Sequence, residues 1–67
     1  MDIRATVFDN LRYALENGYF EPGNQLYDAT PYDIACDMIA YAADLEEVDD
    51  PQILLPFVEE WVLKQKH

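Results

Sequence analysis

The side chains that could carry a function are carboxylates, and they are concentrated in the middle of the chain. The 67 residues include 14 Asp or Glu against 4 Lys or Arg, a formal net charge of −10. Residues 21–50 contain no Lys or Arg and hold most of the acidic residues, namely Glu21, Asp28, Asp33, Asp37, Asp44, Glu46, Glu47, Asp49 and Asp50. Such a segment is typical either of a solvated helix face or of a surface that attracts a basic partner.

The sequence lacks the residue patterns that catalysis and metal binding require. His67 is the only histidine, and we expect it to be frayed at the chain end, so no nucleophile has a histidine base beside it. The carboxylates of residues 44–50 could attract a divalent cation, but they have neither the turn glycine nor the spaced glutamate of an EF-hand. Cys36 is the only cysteine, cannot form an internal disulfide and is expected to be a small packing residue. We therefore predict no enzymatic activity, no cofactor and no metal site.

Composition predicts one small folded domain over residues 1–67. With 51% hydrophobic residues, the chain is too apolar for a disordered acidic tail. No apolar run approaches the roughly 20 residues of a membrane span, and the start of the chain does not resemble a signal peptide. We expect a cytoplasmic protein that binds neither membrane nor, because of its charge, nucleic acid directly.

Hydrophobic spacing and capping residues predict an all-α fold, a compact three-helix bundle. The first helix covers about 3–17, between an Asp2 cap and Gly18. The second begins at the Thr30 cap and Pro31 and runs to about Glu46. The third covers about 51–65 and is either kinked at Pro56 or restarted there, with one kinked helix preferred.

The first two helices are joined by an aromatic loop, residues 18–30, in which Pro22 and Gly23 suit the centre of a type II turn. An irregular loop is the preferred interpretation, and a short hairpin that pairs 19–20 with 26–27 is the alternative. The aromatic rings of the loop either anchor a partner or cap the small core; they are Tyr19, Phe20 and Tyr27.

The helical step places the carboxylates of Asp33, Asp37, Asp44 and Glu47 on one ridge opposite the core, if the second helix extends that far. Asp33 and Asp37 would lie about 6 Å apart along the helix axis, comparable to the spacing of phosphates along a nucleic-acid strand. We therefore predict a partner-binding surface made of the ridge, the acidic run that follows it and two tyrosines of the loop, namely Asp33, Asp37, Asp44, Glu46, Glu47, Asp49, Asp50, Tyr19 and Tyr27.

Residues 30–65, with the sequence TPYDIACDMIAYAADLEEVDDPQILLPFVEEWVLKQ, resemble the short acidic helical proteins of bacteriophages and prophages. The resemblance lies in the TPYD cap and in the helix that runs from DDP to EEW. Some of those proteins resemble DNA in their charge layout and inhibit host proteins, as anti-CRISPR proteins, restriction inhibitors and inhibitors of uracil-DNA glycosylase do. The resemblance implies an inhibitor in the bacterial cytoplasm that binds the basic surface of a nucleic-acid-binding protein.

A second hypothesis assigns the protein to a different class. The third helix carries more apolar residues than one buried stripe requires, because Ile53, Leu55 and Leu63 lie outside it. Small domains with marginal cores are often stabilised by association. In this alternative the protein is a structural or regulatory subunit that forms a homodimer or joins a larger complex, and the acidic residues keep it in solution.

Overall fold

The described residues form three α-helices, and the third packs against both of the others. The computed structural model describes residues 2–45 and 47–65. Its helices are α1 (Ile3–Glu16), α2 (Pro31–Tyr41) and α3 (Pro51–Gln65), with a short 3-10 helix (Ala43–Leu45) after α2. The described residues contain no strand. The predicted all-α three-helix fold is confirmed. None of these helices is long and apolar enough to cross a membrane.

Local signals define both ends of α1. The Asp2 side chain accepts a hydrogen bond from the Ala5 amide at 3.2 Å, which satisfies one of the free donors of the first turn. At the other end, Gly18 has a φ of 77°, and the amide of Tyr19 donates to the carbonyl of Ala14 at 2.9 Å. This is a Schellman ending, in which a left-handed glycine closes the last turn.

The loop between α1 and α2 is irregular, as preferred, and the hairpin alternative is wrong. The amide of Asn24 donates to the carbonyl of Glu21 at 3.0 Å, and Gly23 between them has a φ of 89°. This is the geometry expected of a type II turn with Pro22 at its first central position. Leu26 attaches the loop to the core, because its side chain is buried.

α2 begins where predicted but ends earlier. The Thr30 hydroxyl accepts from the Asp33 amide at 3.2 Å, with Pro31 in the first turn. The prediction that the helix reaches about Glu46 is wrong: it ends at Tyr41, and Ala42 is extended with a ψ of 111°. The carboxylates after Tyr41 are repelled by the negative C-terminal end of the helix dipole, which disfavours a longer helix. No basic residue in the last turn of α2 offsets this repulsion.

The 3-10 helix that follows brings Leu45 fully into the core, with 0% of its surface exposed. α3 then begins at Pro51, and the preceding Asp50 caps it, because Asp50 Oδ1 accepts from the Gln52 amide at 2.9 Å. The helix continues through Pro56 without a break. The prediction of a single helix is therefore confirmed and a restart at Pro56 is wrong, while the kink at Pro56 stays a prediction.

The core lies between the inner faces of the three helices and is closed by one loop residue. Trp61 of α3 stacks on Phe20 of the loop, with ring centroids 5.5 Å apart. Leu15 and Gln65 are exposed although they continue the helical spacing of Leu11 and Trp61, and Cys36, which we expected to pack, is exposed too. The buried apolar residues are Val7, Leu11, Ala14, Leu26, Ile34, Ala35, Met38, Leu45, Leu54, Val58 and Trp61.

Candidate partner-binding surface

The predicted carboxylates are mostly exposed and have no counter-ion in the described part of the chain. The exposed ones are Asp33, Asp44, Glu47, Asp49 and Asp50, while Glu46 lies outside the described residues. Both ion pairs found among residues 2–45 and 47–65 instead involve Glu60 of α3. We call residues 33–50 the acidic segment.

Two of the four basic residues, Arg4 and Lys64, form ion pairs with Glu60, which lies outside the acidic segment. Its carboxylate contacts Arg4 of α1 at 2.6 Å and Lys64 of its own helix at 3.5 Å. Both cations also lie over the ring of Phe8, at 4.4 and 5.2 Å from its centroid. The hydrogen bond from Arg4, and then its charge, lower the pKa of Glu60. Basic side chains are thus engaged between α1 and α3 rather than beside the acidic segment.

The acidic segment is not one helical ridge. Because α2 ends at Tyr41, only Asp33 and Asp37 of the predicted row lie on that helix. Asp44 belongs to the 3-10 helix, and Glu47 follows in the connection to α3. The carboxylates therefore extend over a helix, a short 3-10 helix and a connecting segment, and their spacing is not that of a continuous α-helix.

Two carboxylates of the segment already have partners within the protein. Asp50 accepts from the Gln52 amide as the cap of α3. Asp37 accepts from the Gln25 side chain, whose Nε2 lies 3.1 and 3.3 Å from its two oxygens. No side-chain hydrogen bond or ion pair to the remaining exposed carboxylates occurs within the described ranges, and these are Asp33, Asp44, Glu47 and Asp49.

Charges from both ends of the acidic segment, Asp33 and Asp50, affect the pKa of one side chain, Tyr32. The pKa of Tyr32 is raised, first by its interaction with the neighbouring Cys36. Partial desolvation and the charges of Asp50 and Asp33 raise it further. A phenol surrounded by negative charge remains protonated and can donate a hydrogen bond to a partner.

Asp37 lines a cleft of about 170 Å³ between α1, the loop and α2. Tyr13, Tyr19 and Tyr41 line the same cleft, and Asn10 contributes its side-chain amide to the wall. Tyr13 and Tyr19 meet edge to face, with centroids 6.4 Å apart. The structure therefore brings Tyr19 together with Asp37, as members of one site.

Tyr27, the second predicted loop anchor, lies elsewhere. It lines a larger and more apolar cavity of about 350 Å³ that also contacts Phe20 and Trp61. Phe20 is half-buried and caps the core, whereas Tyr19 and Tyr27 are exposed. The two tyrosines predicted to act together thus belong to two different concave surfaces.

Tyr13 and Tyr41 line the cleft at Asp37 but were not predicted as site residues from the sequence. Tyr41 is 79% exposed and stands four positions after Asp37, so the helical step already placed both side chains on one face of α2. Tyr13 is 60% exposed and lies three positions after Asn10 on α1. The spacing within each helix was a usable signal, whereas the approach of the two helices to each other was not.

The apolar residues of the second hypothesis do not form one patch. Ile53 and Leu63 are 46% and 62% exposed, and Leu55 is half-buried. At about 100° per residue, Ile53 and Leu55 point roughly 160° apart around α3. Leu63 lies about 80° from each of them, so exposure rather than helical spacing selects Ile53 and Leu63 as the contact residues of this helix.

The described residues contain no group of three or more His, Cys, Asp or Glu side chains arranged to hold a metal ion. The features available for function are thus the exposed carboxylates of the acidic segment, the tyrosine-lined cleft at Asp37 and the two apolar residues of α3. No protein-family model, curated protein or solved structure matches this chain.

Proposed function

We propose that this protein binds the basic surface of a nucleic-acid-binding protein and inhibits it by occupying the nucleic-acid site as a DNA mimic. The observation that carries the proposal is the exposure of Asp33, Asp44, Glu47 and Asp49 with no cation beside them in the described ranges. The resemblance to small acidic phage proteins makes a phage-encoded inhibitor, such as an anti-CRISPR protein, the preferred form of this function.

The physical mechanism is competition for a row of lysines and arginines. A concentration of uncompensated charge attracts a basic surface over roughly a Debye length, about 8–10 Å at moderate salt, and speeds the encounter. Once bound, the carboxylates neutralise the side chains that would otherwise contact phosphates. The distribution over three elements supports contact with a broad surface rather than with one groove.

The test compares two triple variants of equal charge against the captured partner. The test variant carries Asp33→Asn, Asp44→Asn and Glu47→Gln. The control carries Asp9→Asn, Glu16→Gln and Glu59→Gln, three exposed residues outside the acidic segment. A partner captured from bacterial lysate at low salt is purified, and the Kd of each variant is measured at about 50 and 200 mM salt.

We expect the test variant to bind at least tenfold more weakly than the control and DNA to compete with the natural protein. Equal affinities for the two variants, or binding that neither salt nor DNA weakens, would contradict a DNA mimic. Circular dichroism of both variants checks that each is folded.

Association through α3 is the second candidate function, and the exposure of Ile53 and Leu63 favours it. Sedimentation equilibrium of the natural protein and of Leu63→Asp tests it. A dimer that the substitution dissociates supports this function, whereas a monomer at high protein concentration argues against self-association. Glu59→Gln, on the same helix, is the control.

A further inference from the structure

We propose that the cleft at Asp37 receives an arginine side chain of the basic partner. The inference rests on the proposed function, since it names the contact that would orient a basic surface on this protein. The single occupant of this cleft of about 170 Å³ is a guanidinium group with the adjoining part of its side chain.

The size of the cleft fits such a group. About 10–15 Å³ of such space holds one water molecule, so a cleft of about 170 Å³ admits the end group of a long side chain. A guanidinium with one or two adjoining methylene groups is such an end group. The larger cavity beside Trp61 also has one carboxylate in its lining, Asp28, so the variants described below are needed to distinguish the two cavities.

The polar groups of the cleft match a cation. Asp37 is half-buried, and its carboxylate accepts from the neutral amide of Gln25, which orients it without neutralising its charge. A carboxylate offers about four lone-pair positions, so positions remain for a further donor. Within the described part of the chain, no Lys or Arg lines the cleft. The protein thus presents an uncompensated negative charge at a concave site.

The aromatic walls favour arginine over lysine. Tyr13, Tyr19 and Tyr41 are among the residues that line the cleft. A guanidinium is planar and weakly hydrated, so it stacks on such rings while it donates two parallel hydrogen bonds to a carboxylate. An ammonium is compact and strongly hydrated, and it loses more hydration on entering the same site. A phosphate or another anion would be repelled by Asp37.

The test uses capped Gly-Arg-Gly as the probe and needs no partner protein. Tyrosine ring signals are followed by NMR while Gly-Arg-Gly, Gly-Lys-Gly or Gly-citrulline-Gly is added. We expect saturable shifts of Tyr13, Tyr19 and Tyr41 with the arginine peptide, at least threefold weaker affinity for the lysine peptide and no saturation with citrulline, which has no charge.

Two variants locate the site. Asp37→Asn keeps an acceptor for Gln25, so we expect it to fold and to weaken arginine binding at least fivefold. Tyr41→Ala should weaken binding about threefold or more, whereas Tyr27→Ala, which alters an exposed tyrosine of the other cavity, should leave it unchanged. Equal affinity for arginine and lysine, an unaffected Asp37→Asn variant, or shifts confined to other residues would overturn the inference.

This result is separable from that of the proposed function. One outcome is that the arginine peptide binds the cleft and that the triple variant at Asp33, Asp44 and Glu47 still binds the partner. That outcome supports the arginine cleft and contradicts the DNA mimic. If the peptide does not bind while that triple variant loses the partner, the acidic surface stands and the arginine cleft fails.

Discussion

Single side chains define where the helices begin, and their effect can be measured. Thr30 accepts from the Asp33 amide at the start of α2, which would otherwise leave a donor without an acceptor. We expect Thr30→Ala to lower the free energy of unfolding by about 1 kcal/mol. Thr30→Ser retains the hydroxyl and should cost much less. Urea unfolding of the two variants, followed by circular dichroism, measures the difference, and equal stabilities would show that the cap does not contribute.

Glu60 provides a second residue-scale prediction, which concerns pH. The hydrogen bond and the charge of Arg4 lower the pKa of Glu60 in the folded protein, so folding is favoured by ionisation of this side chain. Its contribution is therefore present above the unfolded pKa, about 4.3 for Glu, and is lost as the pH falls through the lower folded value.

The measurement compares the free energies of unfolding of the natural protein and of Glu60→Gln between pH 7 and pH 3. We expect the natural protein to be more stable at pH 7 and the difference to shrink below about pH 4. Glu59→Gln leaves the Arg4 ion pair in place and serves as the control. A difference that is constant with pH would contradict the role of the ion pair.

At the scale of elements, the end of α2 is the feature that the sequence did not reveal. A helix continued to residue 46 would also direct Leu45 toward the core, so hydrophobic spacing does not distinguish the two structures. Neither glycine nor proline marks residue 42 or 43. The helix ends because the chain must turn toward α3, and that requirement is tertiary. Capping signals are local, which is why the starts of all three helices were predicted.

Proline substitutions test the end of α2 directly. Ala43 follows the extended Ala42, and proline requires an extended residue before it. We expect Ala43→Pro to be neutral or to stabilise by up to about 1 kcal/mol through a less flexible unfolded chain. Ala40→Pro, at an exposed position inside α2, should cost about 3 kcal/mol. Thermal unfolding measures both, and similar losses would mean that α2 continues through residue 43.

At the scale of the whole molecule, the core is small and Trp61 is its largest member. The protein measures about 30 × 23 × 18 Å, and Trp61 is 7% exposed where α3 meets the loop. Because small domains have little stability to lose, one large cavity matters for the entire fold. The sequence revealed this role of Trp61 because the residue follows the helical step of Leu54 and Val58.

We expect Trp61→Ala to lower the free energy of unfolding by about 3–5 kcal/mol, through lost burial and the cavity that remains. Tyr41→Ala removes another aromatic ring, but from an exposed position, and should change stability by less than about 0.5 kcal/mol. Urea unfolding of both variants provides the comparison. A Trp61→Ala protein as stable as Tyr41→Ala would show that the indole is not part of the core.

The candidate site was less predictable than the fold because it joins distant parts of the chain. The charge of the acidic segment follows from composition, so its existence was evident from the sequence. The cleft at Asp37 requires α1, the loop and α2 to meet, and no local signal specifies how a tyrosine of α1 approaches α2. Tyr19 and Tyr27 line different cavities, and no local signal showed this, because it depends on how the loop turns between them.

Because Trp61 stacks on Phe20 of the loop, the fluorescence of Trp61 reports whether the loop is in place. Trp61 is the only tryptophan, so fluorescence excited at wavelengths too long for the five tyrosines to absorb comes from one ring, which belongs to α3 and contacts the loop. Release of the loop would expose the indole to water and shift its emission to longer wavelength while the helices persist. Loop opening is therefore observable separately from unfolding, in the unlabelled protein and during the binding of any partner.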